Sequence, residues 1–302
     1  MPANTQKETR GHDRFLSDIA TFLLLLAAFS SVGYYFTINL GLRRYYMATL
    51  MWSPGLAAFA TCKLRGISFS TLGWKWGEAR WHWAAYLLPV FYGLVAYGIL
   101  WGSGLGGTVS PKYIDQAGAF LGLSGWTDTQ VLIFAIVMFG TTGMVWRIAA
   151  SLGEEIGWRG FLTPQLMKRF SFPVTSLFVG LVWSLWHAPL IFYTKYNAGP
   201  YDLNQQMLNF TVMTIGISFV LTYLRIRSQS VWPATVLHAA HNTYVISIFG
   251  EMTINYSDTR VYGGEFGVIL PAVMVAVGGY FWYRAHQEGI SGPTGDTEKA
   301  SS

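Results

Sequence analysis

The apolar residues of this chain are gathered into a series of long runs separated by shorter polar stretches. Eight runs stand out, at residues 15–38, 45–64, 81–101, 130–152, 173–193, 207–225, 230–249 and 264–284. Each is close to the roughly 20 residues that a helix needs to cross a bilayer. Backbone groups in lipid must find partners within their own segment, so the runs predict transmembrane helices. They are too long for the strands of an outer-membrane barrel and lack its apolar/polar alternation. The expected fold is therefore all-α, a polytopic integral membrane protein of about eight transmembrane helices.

No internal repeat and no long linker interrupts the pattern, so residues 1–302 read as a single membrane domain. Residues 1–14 and 286–302 are polar and read as mobile tails. The first run, about 24 residues long, exceeds a signal-peptide core of 7 to 15 and lacks an A-x-A-like cleavage site, so it is read as a retained helix.

Composition agrees with the pattern. Charged residues make up only 12% of the chain, about half the share in an ordinary soluble domain. Aromatic residues, including thirteen Trp, reach 17%, which suits a protein that populates two membrane–water interfaces. With the N-terminus inside, fourteen Lys and Arg fall on the cytoplasmic side and five (Arg43, Arg44, Lys112, Lys195 and Arg260) on the other. That bias predicts a cell-membrane protein with both termini cytoplasmic. The net charge of +5 is thus a topology signal, and no basic stripe with interleaved aromatics points to nucleic acid. The lone Cys62 excludes an internal disulfide or a cysteine metal cluster. Gly102–Gly107 spells G-x-G-x-x-G but lies outside any strand-turn-helix unit, so it is read as a flexible turn.

Against this background each ionisable residue within a run calls for explanation, at roughly 2.5 to 3.5 kcal/mol on insertion scales. Three polar islands stand out. The first is Glu154-Glu155-x-x-x-Arg159. On a helix Glu155 and Arg159 are an i,i+4 pair in the favourable order, whereas Glu154 points elsewhere and stays free to take a proton. Gly153, Gly157 and Gly160 permit close helix approach. On this stretch alone, a solvated helix end and a buried site fit equally well.

The second island is Trp183-x-x-x-His187, followed by Pro189, which weakens the helix by removing a donor. The third is His238-x-x-x-Asn242, an imidazole and an amide side by side, with His241 on the adjoining face. His241 either joins the site from there or bonds elsewhere; Arg147 is a further buried-charge candidate. Three helices in a bundle can bring such groups to one cavity.

In their order and spacing these motifs resemble those of the CPBP (Abi) family of intramembrane proteases, which includes the type II CAAX prenyl endopeptidases. The family pattern is E-E-x-x-x-R, aromatic-x-x-x-H and H-x-x-x-N. Trp183 departs from the more frequent Phe and is read as apolar packing in either case. The resemblance implies that Glu154 is the general base that activates a water, with His187 assisting. His238 and Asn242 would stabilise the oxyanion, and Glu155 and Arg159 would support the motif helix. It implies an intramembrane endopeptidase acting near the C-terminus of prenylated CaaX-type or other hydrophobic, membrane-associated substrates, with the bilayer as its setting.

No cofactor is expected on this reading. A zinc-dependent version would draw its ligands from Glu154, His187 and His238, a known type of catalytic set, although H-E-x-x-H is missing. Two other classes compete. One is a transporter, against which the absence of a repeat between halves counts; the other is a non-catalytic scaffold or bacteriocin-immunity protein, against which the complete motifs count.

Overall fold

A computed structural model of the chain describes residues 3–290 and 292. Apart from Gly292, the C-terminal tail expectation beyond residue 290 lies outside the described residues. The polar N-terminal segment is not a separate tail over its described part: the backbone is helical from Ala3, and α1 runs Ala3–Asn39. Then follow α2 (Arg44–Met51), α3 (Ser53–Arg65), α4 (Ala79–Gly102), α5 (Pro111–Leu121), α6 (Asp128–Gly140), α7 (Thr142–Glu155) and α8 (Thr163–Met167). The remainder are α9 (Phe172–Tyr193), α10 (Leu203–Ser228), α11 (Trp232–His241), α12 (Thr259–Tyr262) and α13 (Ile269–Gln287). Among the described residues there is no strand, only an isolated bridge between Gly107 and Ile254.

Among the described residues five stretches are long and apolar enough to cross a membrane: Asp13–Asn39, Ala79–Gly102, Asp128–Met167, Phe172–Tyr193 and Leu203–Ser228. The other three expected spans are helical but less regular. Residues 45–64 divide at Trp52 into α2 and α3. The run at 230–249 passes from α-helix to π-helix after His241, and α13 begins only at Ile269. The 40-residue stretch Asp128–Met167 is itself too long for one crossing, and it breaks at Thr141 (φ −114°, ψ −86°) between α6 and α7.

The segment at 102–129 departs from the flexible turn expected at its start. It contains α5, whose Tyr113, Ile114 and Ala117 are buried. The glycine segment is not a free turn, because Gly107 exchanges two backbone hydrogen bonds of 3.0 Å with Ile254. Those bonds satisfy polar backbone groups that would otherwise be orphaned.

Small residues set the spacing of the helices around the three motifs. A Cβ on Gly153 of α7 would stand 2.8 Å from Met51 O and Trp52 Cα, and one on Gly55 of α3 would stand 2.7 Å from Gly153 O. Gly157 meets Pro54 in the same way, so α3 lies directly against the motif helix, as small-xxx-small contacts allow. Between α9 and α10 the contact is Gly180 on Ile215, and between α10 and α13 it is Gly216 on Met274. α11 lies between α4 and α7, which places its histidines opposite the end of α7.

Candidate active site

α7 ends at Glu155, and the chain continues as a π-helix from Ile156 to Leu162. A second π-helix, Asn242–Gly250, begins directly after His241. Both departures from α geometry adjoin motif residues, a frequent location for π turns. The question left open by the first island is settled by burial: Glu154 is 3% exposed, and Glu155 and Arg159 are 0% exposed. These charges are not a solvated helix end.

The two glutamates have different surroundings. Glu155 accepts from Arg159 Nη1 through both oxygens, at 3.1 and 3.2 Å, and lies 2.9 Å from His238 Nδ1. A carboxylate only accepts, so Nδ1 of His238 carries the hydrogen of that bond. Arg159 also donates to Ser218 Oγ at 2.9 Å, and its guanidinium lies over the Trp183 ring, 4.8 Å from the centroid. Its carbonyl accepts from Arg225 Nε at 2.9 Å, and Arg225 also reaches Thr71 O at 3.2 Å.

Glu154 has no guanidinium or ammonium partner among the described residues. Its Oε2 accepts from the Trp183 indole at 2.7 Å, which corrects the reading of Trp183 as apolar packing. Its Oε1 receives no hydrogen bond from a described residue and lies 4.0 Å from His238 Nε2. The imidazole of His238 therefore stands between the two carboxylates, one at each nitrogen.

His187 enters from α9. Its Nδ1 is 3.0 Å from Trp183 O, a carbonyl that can only accept, so Nδ1 carries the hydrogen and Nε2 presents a lone pair. Aromatic neighbours close around the ring: Trp186 at right angles at 4.8 Å, Phe210 at 5.1 Å and Tyr196 stacked at 5.8 Å. The Tyr196 phenol, in the loop between α9 and α10, is pushed well above its ordinary range by burial and by the Glu265 and Glu154 carboxylates, so it stays neutral. α9 runs through Pro189 without interruption.

Asn242 is half-buried, one turn beyond His238, its backbone N–H bonding back to His238 O. His241 is held apart from Glu154 and Glu155. Its Nδ1 is 2.8 Å from Tyr92 Oη, and its Nε2 is 3.2 Å from Glu265 Oε1. Arg147 also lies outside the group, bonded to Ser247 Oγ. Glu265 lines a cavity of about 470 Å³ that also takes in Lys112, Glu251 and Arg260. Phe266 on its wall stacks on Phe210 beside His187.

Among the described residues no group of three or more His, Cys, Asp or Glu is arranged to hold a metal ion.

Sequence reasoning missed Ser218, Arg225, Tyr92 and Glu265. For the first two a signal was present. Thr214, Ser218 and Thr222 recur every four residues in α10, a polar stripe inside an apolar helix, and Arg225 follows it. Arg159 and Arg225 are also buried, so neither belongs among loop charges. Without them the basic bias falls from fourteen to twelve, against five, and keeps its direction.

Fold and site together define an all-α, multi-span membrane protein with an acid, a charge-paired acid and two histidines gathered inside the bundle. Residues 131–244 match the family described as Rce1-like, type II CAAX prenyl endopeptidase. The matched segment contains all three motifs, so the resemblance read from them is borne out. The chain is also 29% identical over 153 residues to CAAX prenyl protease 2 of Methanococcus maripaludis. That similarity covers 49% of this chain and 49% of the relative, so the chain spans about half the length of the curated protein it matches.

Proposed function

We propose that this chain is an intramembrane endopeptidase that hydrolyses a peptide bond near the C-terminus of a prenylated CaaX-type or other membrane-associated substrate. One observation carries the reading. Glu154 keeps one carboxylate oxygen without a hydrogen bond from any described residue while facing His238 Nε2, and the neighbouring acid holds the opposite nitrogen of that histidine.

In this reading Glu154 Oε1 takes a proton from a water, and the hydroxide formed attacks the scissile carbonyl. The lone pair on His187 Nε2 orients that water. Charge then develops on the carbonyl oxygen, where the Asn242 amide and His238 Nε2–H donate. Because Nδ1 already carries a hydrogen toward Glu155, donation from Nε2 uses the imidazolium form. Two carboxylates, one guanidinium and one imidazolium sum to zero charge, which a low-dielectric site can hold. The proton on Glu154 passes to the departing amine as the C–N bond breaks. General-base action is worth roughly 10²- to 10⁴-fold, and each oxyanion donor roughly 2.7 to 4 kcal/mol.

No step of this mechanism runs through a metal ion. The twelve-to-five excess of basic residues supports a reading with both termini on the cytoplasmic face of the cell membrane. The test is hydrolysis of a farnesylated CaaX-type peptide by purified protein in lipid nanodiscs, with the products identified by mass and the zinc content measured on the same sample. Cleavage is expected from the wild type at full rate after chelation, and none from Glu154→Gln. If Glu154→Gln and His238→Ala both cleave at the wild-type rate, the mechanism is wrong; if activity follows zinc content, its metal-free form is wrong.

A further inference from the structure

We infer that Trp183 is a positioning residue: its indole N–H fixes one oxygen of Glu154, so that Oε1 is the oxygen presented to water. The inference rests on the protease reading above and adds a division of labour within the carboxylate. It starts from the side chain itself, since an indole carries an N–H donor that a plain aromatic ring such as Phe lacks.

The geometry is specific. Trp183 Nε1 donates to Glu154 Oε2 at 2.7 Å, in the short range of a hydrogen bond to a charged acceptor. The same indole touches the rest of the site. Its ring lies edge-on to His238 at 5.1 Å and to His187 at 6.2 Å, and its face takes the Arg159 guanidinium at 4.8 Å. Trp183 therefore contacts the acid, both histidines and the arginine, and it is 6% exposed. A buried side chain held on several sides cannot swing away, so the direction of its N–H is fixed. The carboxylate in turn cannot rotate without giving up that bond. Oε2 is occupied, and Oε1, 4.0 Å from His238 Nε2, is left for the water. A base held within a few tenths of an ångström of its working position avoids the loss that a loosely held one incurs.

Two measurements on the full chain in micelles or nanodiscs test this. The first is kinetics on the prenylated peptide. Trp183→Phe should lower kcat by about 10- to 100-fold, the size of one charge-assisted hydrogen bond, with KM within about twofold of wild type. Phe is also smaller, so a second variant carries benzothienylalanine at 183, which keeps the fused ring and replaces N–H by sulfur. It should be as slow as Trp183→Phe. A benzothienylalanine variant at the wild-type kcat would overturn the inference, as would a Trp183→Phe variant within about twofold of it.

The second measurement needs no activity. In protein labelled with ¹⁵N-tryptophan, one of thirteen indole N–H resonances vanishes in Trp183→Phe and is thereby assigned. It should lie downfield in the wild type and move upfield in Glu154→Gln, where the acceptor loses its charge. A resonance that does not respond to Glu154→Gln overturns the contact. Failure of the protease reading has a different signature: the wild type itself cleaves nothing, while the resonance still moves.

Discussion

Glutamine for glutamate at positions 154 and 155 is the same chemical change at adjacent residues, and the structure predicts different consequences for stability. Glu155 is fully buried and takes three close contacts, two from Arg159 at 3.1 and 3.2 Å and one from His238 at 2.9 Å. Glutamine offers one carbonyl oxygen for these and leaves the Arg159 guanidinium without its counter-charge. The Ser218 hydroxyl and the Trp183 ring remain beside it but do not neutralise it. Breaking a buried pair by removing one partner costs about 3 to 5 kcal/mol. Against a typical total of roughly 5 to 15 kcal/mol, Glu155→Gln should be close to unfolding.

At Glu154 the balance differs. The one hydrogen bond present comes from the Trp183 indole, and a glutamine carbonyl accepts it as well. With this carboxylate gone, a neutral His238 keeps its Nδ1 bond to Glu155, and the remaining Glu155–Arg159 pair still sums to zero charge. Glu154→Gln should therefore lie within about 1 kcal/mol of wild type, or above it. The assay is equilibrium unfolding of both variants in one detergent at pH 7, with cleavage measured on the same preparations. Glu154→Gln should be folded and inactive. Replacing Glu155 by Leu together with Arg159 by Met, which removes both charges, should recover most of the loss seen in Glu155→Gln. Equal stabilities for the two single variants, or a less stable Glu154→Gln, would refute the division into a paired acid and an unpaired one.

Three further outcomes follow from the packing around the site. His238→Ala should lower kcat by about 10²- to 10³-fold, the range for an oxyanion donor, whereas His241→Ala, which releases only Tyr92 and Glu265, should stay within about tenfold in the same assay. Gly153→Val places carbon against Met51 O and Trp52 Cα, where a Cβ already stands at 2.8 Å, and should cost about 1 to 3 kcal/mol in an unfolding titration. Arg225→Met removes donors to the carbonyls of Arg159 and Thr71 and should destabilise by about 1 to 3 kcal/mol; wild-type stability would show that the π turn holds without it.

The helical class, the positions of the main spans and the three motif islands were all legible in the sequence, because each depends on local composition or on i,i+4 spacing. The Glu155–Arg159 pair is such a case, formed as the spacing predicted. What depends on contacts between helices was not legible. That His238 Nδ1 meets Glu155 follows from α11 facing the end of α7, 83 residues earlier in the chain. Trp183 looked like packing because Trp and Phe are interchangeable as apolar mass, and only the direction of the ring shows that its N–H reaches Glu154. His241 could have turned either way until Tyr92 and Glu265 were seen to hold it. The break at Thr141 and both π turns occur among residues whose apolar character is the same in any helix type.

The mutual dependence of these contacts explains how a chain so sparing of charge keeps Glu154, Glu155, Arg159 and His238 inside its bundle. Each carboxylate or guanidinium would cost roughly 2.5 to 3.5 kcal/mol on an isolated helix in lipid. In the folded chain the partners of these charges come from other helices: Trp183 from α9, Ser218 from α10, His238 from α11. Glu155 and Arg159 alone can pair before those helices dock, as residues of one helix. Glu154 has nothing to meet until α9 arrives, so it is the group whose burial depends most on tertiary assembly. Paired surroundings with one acceptor left over are what a general base requires, because a fully satisfied carboxylate has no lone pair free for water. On the proposed mechanism, the stability of the site and its reactivity are thus carried by different members of the same dipeptide.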